Sequence, residues 1–292
     1  MIKVDKLTKT YDGVDVLKQI SLSIKDNEIF GLLGPNGAGK TTTLECMEGL
    51  RHFDNGSISI NGLSPNQALK KGLIGVQLQN SSLPENINVQ DLLQLYCHWQ
   101  KKTLNHDLIE TLKLKPLYEK LYKNLSTGQK RKLHLALALI SNPDTVFLDE
   151  PTAGLDVQSR HDLHNQIRAL KKQGKTIIIA SHDMSEVQSL CDRVAILVNG
   201  VIHAVDSPNV IISKDNYTNV MEVKFDKKIN ALDIKHATYI TNKGDYQCFQ
   251  VHDLHSTLEE LTKYMAENKV ILQDMVMTKP SLEERFIQLT KE

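Results

Sequence analysis

Gly31-Leu-Leu-Gly-Pro-Asn-Gly-Ala-Gly-Lys-Thr-Thr-Thr-Leu-Glu45 holds Gly34, Gly39, Lys40 and Thr41 at the G-x-x-x-x-G-K-[ST] spacing of a phosphate-binding loop. The preceding Glu28-Ile-Phe-Gly-Leu-Leu33 is a short apolar strand, and a helix is predicted over 40–50. Glycines let the backbone pass close to a polyphosphate with its N–H groups turned inward, and the helix start adds the positive end of its dipole. Lys40 is expected to reach the β- and γ-phosphates and the Thr41 hydroxyl to hold Mg²⁺, with Asn36, Gly37 and Thr42 among the nucleotide contacts. A glycine-rich turn without a ligand is the alternative, and the complete motif between a strand and a helix speaks against it.

Asp144-Thr-Val-Phe-Leu-Asp-Glu150 is an apolar strand ending in two carboxylates, the expected partner of such a loop. Asp149 would bind Mg²⁺ and Glu150 would polarise the water that attacks the γ-phosphate. Before the loop, residues 2–33 alternate apolar and polar positions, broken by Asp12-Gly13 and Asp26-Asn27, and read as antiparallel strands. Tyr11 precedes the first turn, where its ring could stack on a base or simply pack. After the loop, Gly56-Ser-Ile-Ser-Ile-Asn-Gly62 reads as a further hairpin strand and 73–78 as another strand. Gln79 follows, with a carboxamide that could reach a metal or the attacking water, or remain a solvated loop side chain.

Residues 89–122 turn helical, with Leu92, Leu93, Tyr96 and Trp99 predicted on one face of a helical insertion. Leu125-Ser-Thr-Gly-Gln-Lys-Arg-Lys-Leu133 then opens a strongly helical run for which Ser126 is a natural N-cap. Ser126, Gly128 and Gln129 at that helix start form a second anion site, which one active site does not require. A helix over 157–172 and a buried-type strand over 175–180 lead to Ser181-His182-Asp183. Three consecutive side chains cannot align as a hydrolase triad, and His182 at the carboxyl end of a parallel strand is better placed to touch a phosphate. The His161/His164 and His252/His255 pairs lack the glutamate and spacing of a zinc protease and are read as surface or packing residues.

The totals narrow the class. Lysine plus arginine equals aspartate plus glutamate at 35 each, so no overall charge argues for nucleic acid as partner, and none is expected. Cys46, Cys97, Cys191 and Cys248 are far apart and suit reduced thiols, not structural zinc. No apolar run approaches the ~18 residues of a membrane span, so service to a membrane would require a crossing provided by another chain.

In this order, the phosphate loop, Gln79, the Ser126–Gln129 segment, the Asp149-Glu150 strand and His182 resemble the nucleotide-binding subunit of ATP-binding cassette transporters over about residues 1–215. The specificity lies in Leu-Ser-Thr-Gly-Gln, since the loop and acidic strand also occur in unrelated ATPases. The resemblance implies an α/β phosphate-loop cassette with an antiparallel β subdomain and a helical subdomain, using ATP and Mg²⁺. It implies a head-to-tail homodimer or a paired cassette subunit, each ATP lying between Lys40 of one copy and Ser126 and Gly128 of the other. It implies an integral membrane permease as partner and a place on the cytoplasmic face of the cell membrane. Tyr11 then becomes the adenine-stacking residue, Gln79 the sensor beside the permease, Asp156 a cross-dimer contact and His182 the γ-phosphate switch. Family members usually carry glycine where this chain has Thr127, which is expected to point away from the phosphate.

Beyond about residue 220 the pattern restarts, with alternation at 221–225 and 246–251, helical spacing at 254–265, a strand over 270–277 and a capping box at Ser281 and Glu284. A small α+β accessory domain over 220–292 is predicted, and its ten basic and twelve acidic residues do not make a nucleic-acid arm. The tail is similar to that of cassette subunits of bacterial exporters for drugs, antibiotics or cell-surface polymers. A soluble cassette ATPase acting on a protein or cofactor-assembly scaffold is the rival reading.

Overall fold

The Asp12-Gly13 turn folds β1 (Ile2–Tyr11) onto β2 (Val14–Ile24): its two residues have φ of 48° and 80°, the left-handed pair that a two-residue hairpin turn needs. Tyr11 thereby pairs with Val14. The computed structural model describes residues 1–77, 83–213, 220–227, 234–278 and 281–289, and it divides into two units, Met1–Pro208 and Asn209–Glu292. In the first, β3 (Ile29–Leu33) is followed by α1 (Lys40–Glu48), β4 (Asn55–Ile60), α2 (Pro65–Lys70) and β5 (Ile74–Gln77). Then come α3 (Val89–Trp99), α4 (His106–Thr111), α5 (Thr127–Leu139), β6 (Thr145–Asp149), α6 (Val157–Lys172), β7 (Thr176–Ser181), α7 (Met184–Leu190), β8 (Arg193–Val198) and β9 (Val201–Asp206).

Two sheets result. The smaller is antiparallel, in the order β2-β1-β4. The larger runs β5-β6-β7-β3-β8-β9 and is parallel except for its last strand. The antiparallel reading of 2–33 therefore holds for β1 and β2, whereas β3 departs for the parallel sheet. All five of its residues are buried, and a strand apolar on both faces belongs in the middle of a covered sheet. Asn61-Gly62 does not open a second hairpin either. β4 pairs with β1 in the register Ile2↔Ile60, and beyond the turn only the isolated bridge Ile60↔Leu63 forms before Ser64 caps α2. In α3 the buried stripe is Val89, Leu92, Leu93 and Cys97. Trp99, predicted on that face, is the last residue of the helix and stands 75% exposed, edge-on to Tyr96.

Phe30, Leu32, Phe147 and Ile178 of the larger sheet share one core with Leu44 and Met47 of α1 and with Ile2, Val4 and Ile20 of the smaller sheet. Glu48 sits in the same helix at 1% exposure, with Oε2 buried and without a hydrogen bond. Burial first, then the Asp149 and Glu45 carboxylates, push its acid up to about 8.

The helix α8 (Pro208–Ser213) crosses the division between the units, and β10 (Val220–Phe225), β11 (Ala237–Lys243), β12 (Tyr246–Val251), α9 (Leu254–Asn268), β13 (Leu272–Thr278) and α10 (Leu282–Leu289) follow. The second unit's sheet runs β11-β12-β10-β13, all pairs antiparallel. β12, α9 and β13 form a crossover in which β10 lies between the two strands, a split βαβ unit. Met221, Val223, Phe249 and Leu261 centre its own core. Ser281 and Glu284 form the predicted capping box, each side chain taking the other's backbone N–H.

Because Glu48 is held protonated well above the usual carboxylate range, the unfolded chain releases its proton first as pH rises. Its contribution to stability is present below about 4.5 and is lost as pH rises towards about 8. Glu48→Gln should therefore gain stability over the wild type across that window, at up to about 1.4 kcal/mol per pH unit, and gain no more above it. Urea unfolding of both proteins at several pH values measures this; a pH-independent difference would show that Glu48 does not titrate on unfolding.

Candidate active site

β6, β7 and β3 are adjacent and parallel, so their carboxyl ends bring Asp149 and Glu150, Ser181 and His182, and Gly34 to one edge of the sheet. That edge is where ligands of open α/β sheets bind. The loop from β3 to α1 has no room to be anything but glycine at Gly34, where a Cβ would stand 2.2 Å from the Leu197 carbonyl oxygen. Gly39 begins α1 at φ 103°, a conformation that a side chain would strain.

Lys40 is 7% exposed and its Nζ donates to the carbonyls of Gly34 at 2.8 Å and Pro35 at 3.1 Å. Glu150 Oε1 lies 4.0 Å from the same ammonium. Burial lowers the Lys40 pKa, opposed by Glu150 and Asp149. Thr41 Oγ1 donates to Asp149 Oδ2 at 3.1 Å, which ties the loop to β6. Burial raises the Asp149 pKa despite that bond, and Asp149 Oδ1 is buried without a hydrogen-bond partner.

Glu150 adopts φ 48°, an uncommon conformation for a side-chain-bearing residue, fixed by its N–H donating to Ala180 O at 3.0 Å. Its Oε1 is 2.8 Å from His182 Nδ1. Behind His182 lies a buried network. Ser181 Oγ donates to Glu186 Oε2 at 2.7 Å, and Glu186 Oε1 is 3.2 Å from His164 Nε2. Asp183 N donates to Ser181 Oγ, and Asp183 caps α7 while accepting from Arg160 of α6. The consecutive Ser-His-Asp is thus no triad: the three side chains serve three different partners.

Tyr11, Val16, Asn36, Gly37, Gly39, Lys40, Thr41, Thr42 and Glu150 line one cavity of about 340 Å³. The second group of expected residues lies outside that lining. Ser126 caps α5, its Oγ accepting from Gln129 N, while the Gln129 carboxamide accepts from Ser126 N, so Gln129 is engaged in the cap itself. Gly128 faces α6, where a Cβ would come within 2.8 Å of Ser159 Oγ. Asp156 caps α6, accepting from both the N–H and the hydroxyl of Ser159. Thr127 is exposed and lies beside Gly154, with its Cγ2 3.9 Å from where a Cβ there would stand. Gln79 lies outside the described residues. Of the histidine pairs, His161 is exposed and His164 is the buried member of the Glu186 network. That network and Glu48 escaped the sequence reading. The only signal for Glu48 was its place seven residues after Thr41, two helical turns along the same face.

A family model described as ABC transporter matches residues 17–153. Nod factor export ATP-binding protein I of Burkholderia orbicola (strain AU 1054) is 38% identical over 223 residues, which cover 74% of this chain and 73% of the relative. Linearmycin resistance ATP-binding protein LnrL of Bacillus subtilis (strain 168) is 28% identical over 99% of this chain and 98% of its own length. Among solved structures, the ATP binding subunit of an ABC transporter matches with a TM-score of 0.64 at 25% identity, covering 72% of this chain and 91% of that one. A nucleotide-free ATP-binding cassette from an ABC transporter matches with a TM-score of 0.61 at 25% identity, covering 70% and 90%. The geometry at the sheet edge and these matches lead to one conclusion: the chain belongs to the ABC transporter family, as an ATP-hydrolysing cassette subunit.

Proposed function

We propose that the chain pairs head to tail with a second copy or a related cassette subunit, hydrolyses Mg-ATP between them, and drives a separate integral permease. The cargo would be a drug, an antibiotic or a cell-surface component, exported by a complex whose ATPase lies on the cytoplasmic face of the cell membrane. The observation that carries the pairing is the division of the site residues. Lys40, Thr41, Glu150 and Tyr11 line one cavity, while Ser126, Gly128 and Asp156 gather at the starts of α5 and α6, outside it. A capped helix start outside the cavity of its own copy is suited to the phosphate held by another copy. Export is supported by the names of the relatives, one in Nod factor export and one in linearmycin resistance. Among the described residues no helix is long and apolar enough to cross a membrane, and in this reading the crossing belongs to the permease.

In this mechanism the Lys40 ammonium and the loop N–H groups neutralise the β- and γ-phosphates, and the Tyr11 ring stacks on adenine. Glu150 Oε1 takes the proton of the attacking water, and His182 holds that carboxylate through Nδ1. The unpartnered Asp149 Oδ1 and the Thr41 hydroxyl on Oδ2 fit a Mg²⁺ held by Thr41 and Asp149. When bound, the ion would supply neutralisation of the phosphate charge. Gln79 is proposed as a further contact to ion and water. The exposed Thr127 fits a side chain kept off the phosphate.

Glu150→Gln should keep Mg-ATP binding and lose turnover by about a hundredfold or more, because the amide accepts no proton. Wild-type turnover in that variant would remove Glu150 from the mechanism. Lys40→Ala should weaken ATP binding itself, measured by titration calorimetry. Thr127→Gly should leave turnover within tenfold, whereas a larger gain, more than roughly 1.4 kcal/mol in the barrier, would show that Thr127 obstructs the phosphate. Affinity capture of Glu150→Gln with Mg-ATP from detergent-solubilised native membranes should bring down a polytopic membrane protein. A soluble partner alone would favour the scaffold-remodelling ATPase.

A further inference from the structure

Tyr11 stands where two ion pairs converge. It is the last residue of β1, fixed by its pairing with Val14 across the left-handed Asp12-Gly13 turn. Lys9 Nζ lies 5.3 Å and the Arg51 guanidinium carbon 5.4 Å from its ring centroid, within reach of the ring's negative face. Both cations are themselves anchored. Lys9 Nζ donates to Asp54 Oδ1 at 2.9 Å, and the other oxygen of Asp54 accepts from Thr10 N at 2.7 Å. Arg51 Nε donates to Glu45 Oε2, and Glu45 lies on α1, five residues past Lys40. The ring is therefore tied through Arg51 to the helix that carries the phosphate lysine.

The position of these cations limits what they can do. Tyr11 lines the 340 Å³ cavity together with Lys40 and Thr41, and neither Lys9 nor Arg51 belongs to that lining. Their charges meet the aromatic ring, not the space for the phosphates. An aromatic side chain held in place before the ligand arrives loses less freedom when a base stacks on it, and a cation against a ring polarises the surface the base meets.

We propose that Arg51, with Lys9, is a positioning residue that sets Tyr11 as a preformed stacking platform and so makes affinity depend on the nucleobase. The inference rests on the reading of the cavity as an ATP site. A purine, with the larger stacking area, gains most from such a platform, and a triphosphate without a base gains nothing.

The experiment measures dissociation constants of the intact chain for Mg-ATP and for Mg-ribose 5′-triphosphate, which keeps the phosphates and lacks the base. Arg51→Ala should weaken ATP binding roughly threefold to tenfold and leave ribose triphosphate binding unchanged. Lys9→Ala, an independent route to the same ring, should do the same. In a Tyr11→Ala background Arg51→Ala should cost nothing further, since the cation then has no ring to hold. Equal weakening of both ligands by both variants would overturn the proposal, as would an undiminished Arg51 effect without Tyr11, or no effect on ATP. If the wild type bound neither triphosphate, the nucleotide reading would fail and this inference with it. If the wild type bound both ligands equally, the phosphate reading would stand and the platform would fall.

Discussion

Three charged groups buried side by side govern this molecule. Lys40, Asp149 and Glu150 are 7%, 4% and 7% exposed, one cation facing two carboxylates at the edge of the parallel sheet. Burying charge is costly unless it is paired and hydrogen-bonded, and the two carboxylates share Lys40 with the nearby Arg131 guanidinium, whose charge acts on both. The scaffold works to hold these groups together. β3 is threaded between β7 and β8 so that the loop can curl its carbonyls around the ammonium, and Thr41 satisfies one oxygen of Asp149. Glu150 takes a left-handed backbone conformation, a local cost that the bond to Ala180 maintains. A site that leaves an acidic oxygen buried and unmatched is suited to a divalent cation and a polyphosphate arriving together.

What could be read from the sequence was whatever depends on residue type at a fixed offset. The phosphate loop demands glycine, lysine and threonine at set places, the acidic strand must end in its carboxylates, and Ser126 with Gln129 three residues later is a cap that needs no tertiary partner. What escaped depends on which element lies next to which. Asn61-Gly62 has hairpin chemistry, but β4 had already found β1, and α2 starts before a return strand can form. Trp99 carries the right periodicity and ends its helix in the open. Glu48 reads as an ordinary helix-surface acid until the packing of α1 closes over it, and Glu186 shows its role only once β7, α6 and α7 are assembled around Ser181.

The site geometry lies wholly in Met1–Pro208, and the 38% relative aligns over 74% of the chain, whereas the 28% relative aligns over 99%. A nucleotide-handling unit is under constraints set by phosphate chemistry, which are the same for every member of the family. The second unit has a core of its own around Phe249 and an antiparallel sheet of its own, and it contributes no residue to that site.

The seam between α5 and α6 bears on how variants of this protein are to be interpreted. Gly128 and Ser159 occupy nearly touching space, and the Ser159 hydroxyl is what completes the cap made by Asp156. A methyl group at position 128 would push that hydroxyl aside and loosen the start of α6, even in a single copy with no nucleotide present. Loss of function in a Gly128 variant would thus not by itself demonstrate a contact with ATP, because one lesion strikes two motifs. The coupling runs one way: any side chain added at position 128 must displace Ser159, whereas a smaller residue at position 159 leaves Gly128 room.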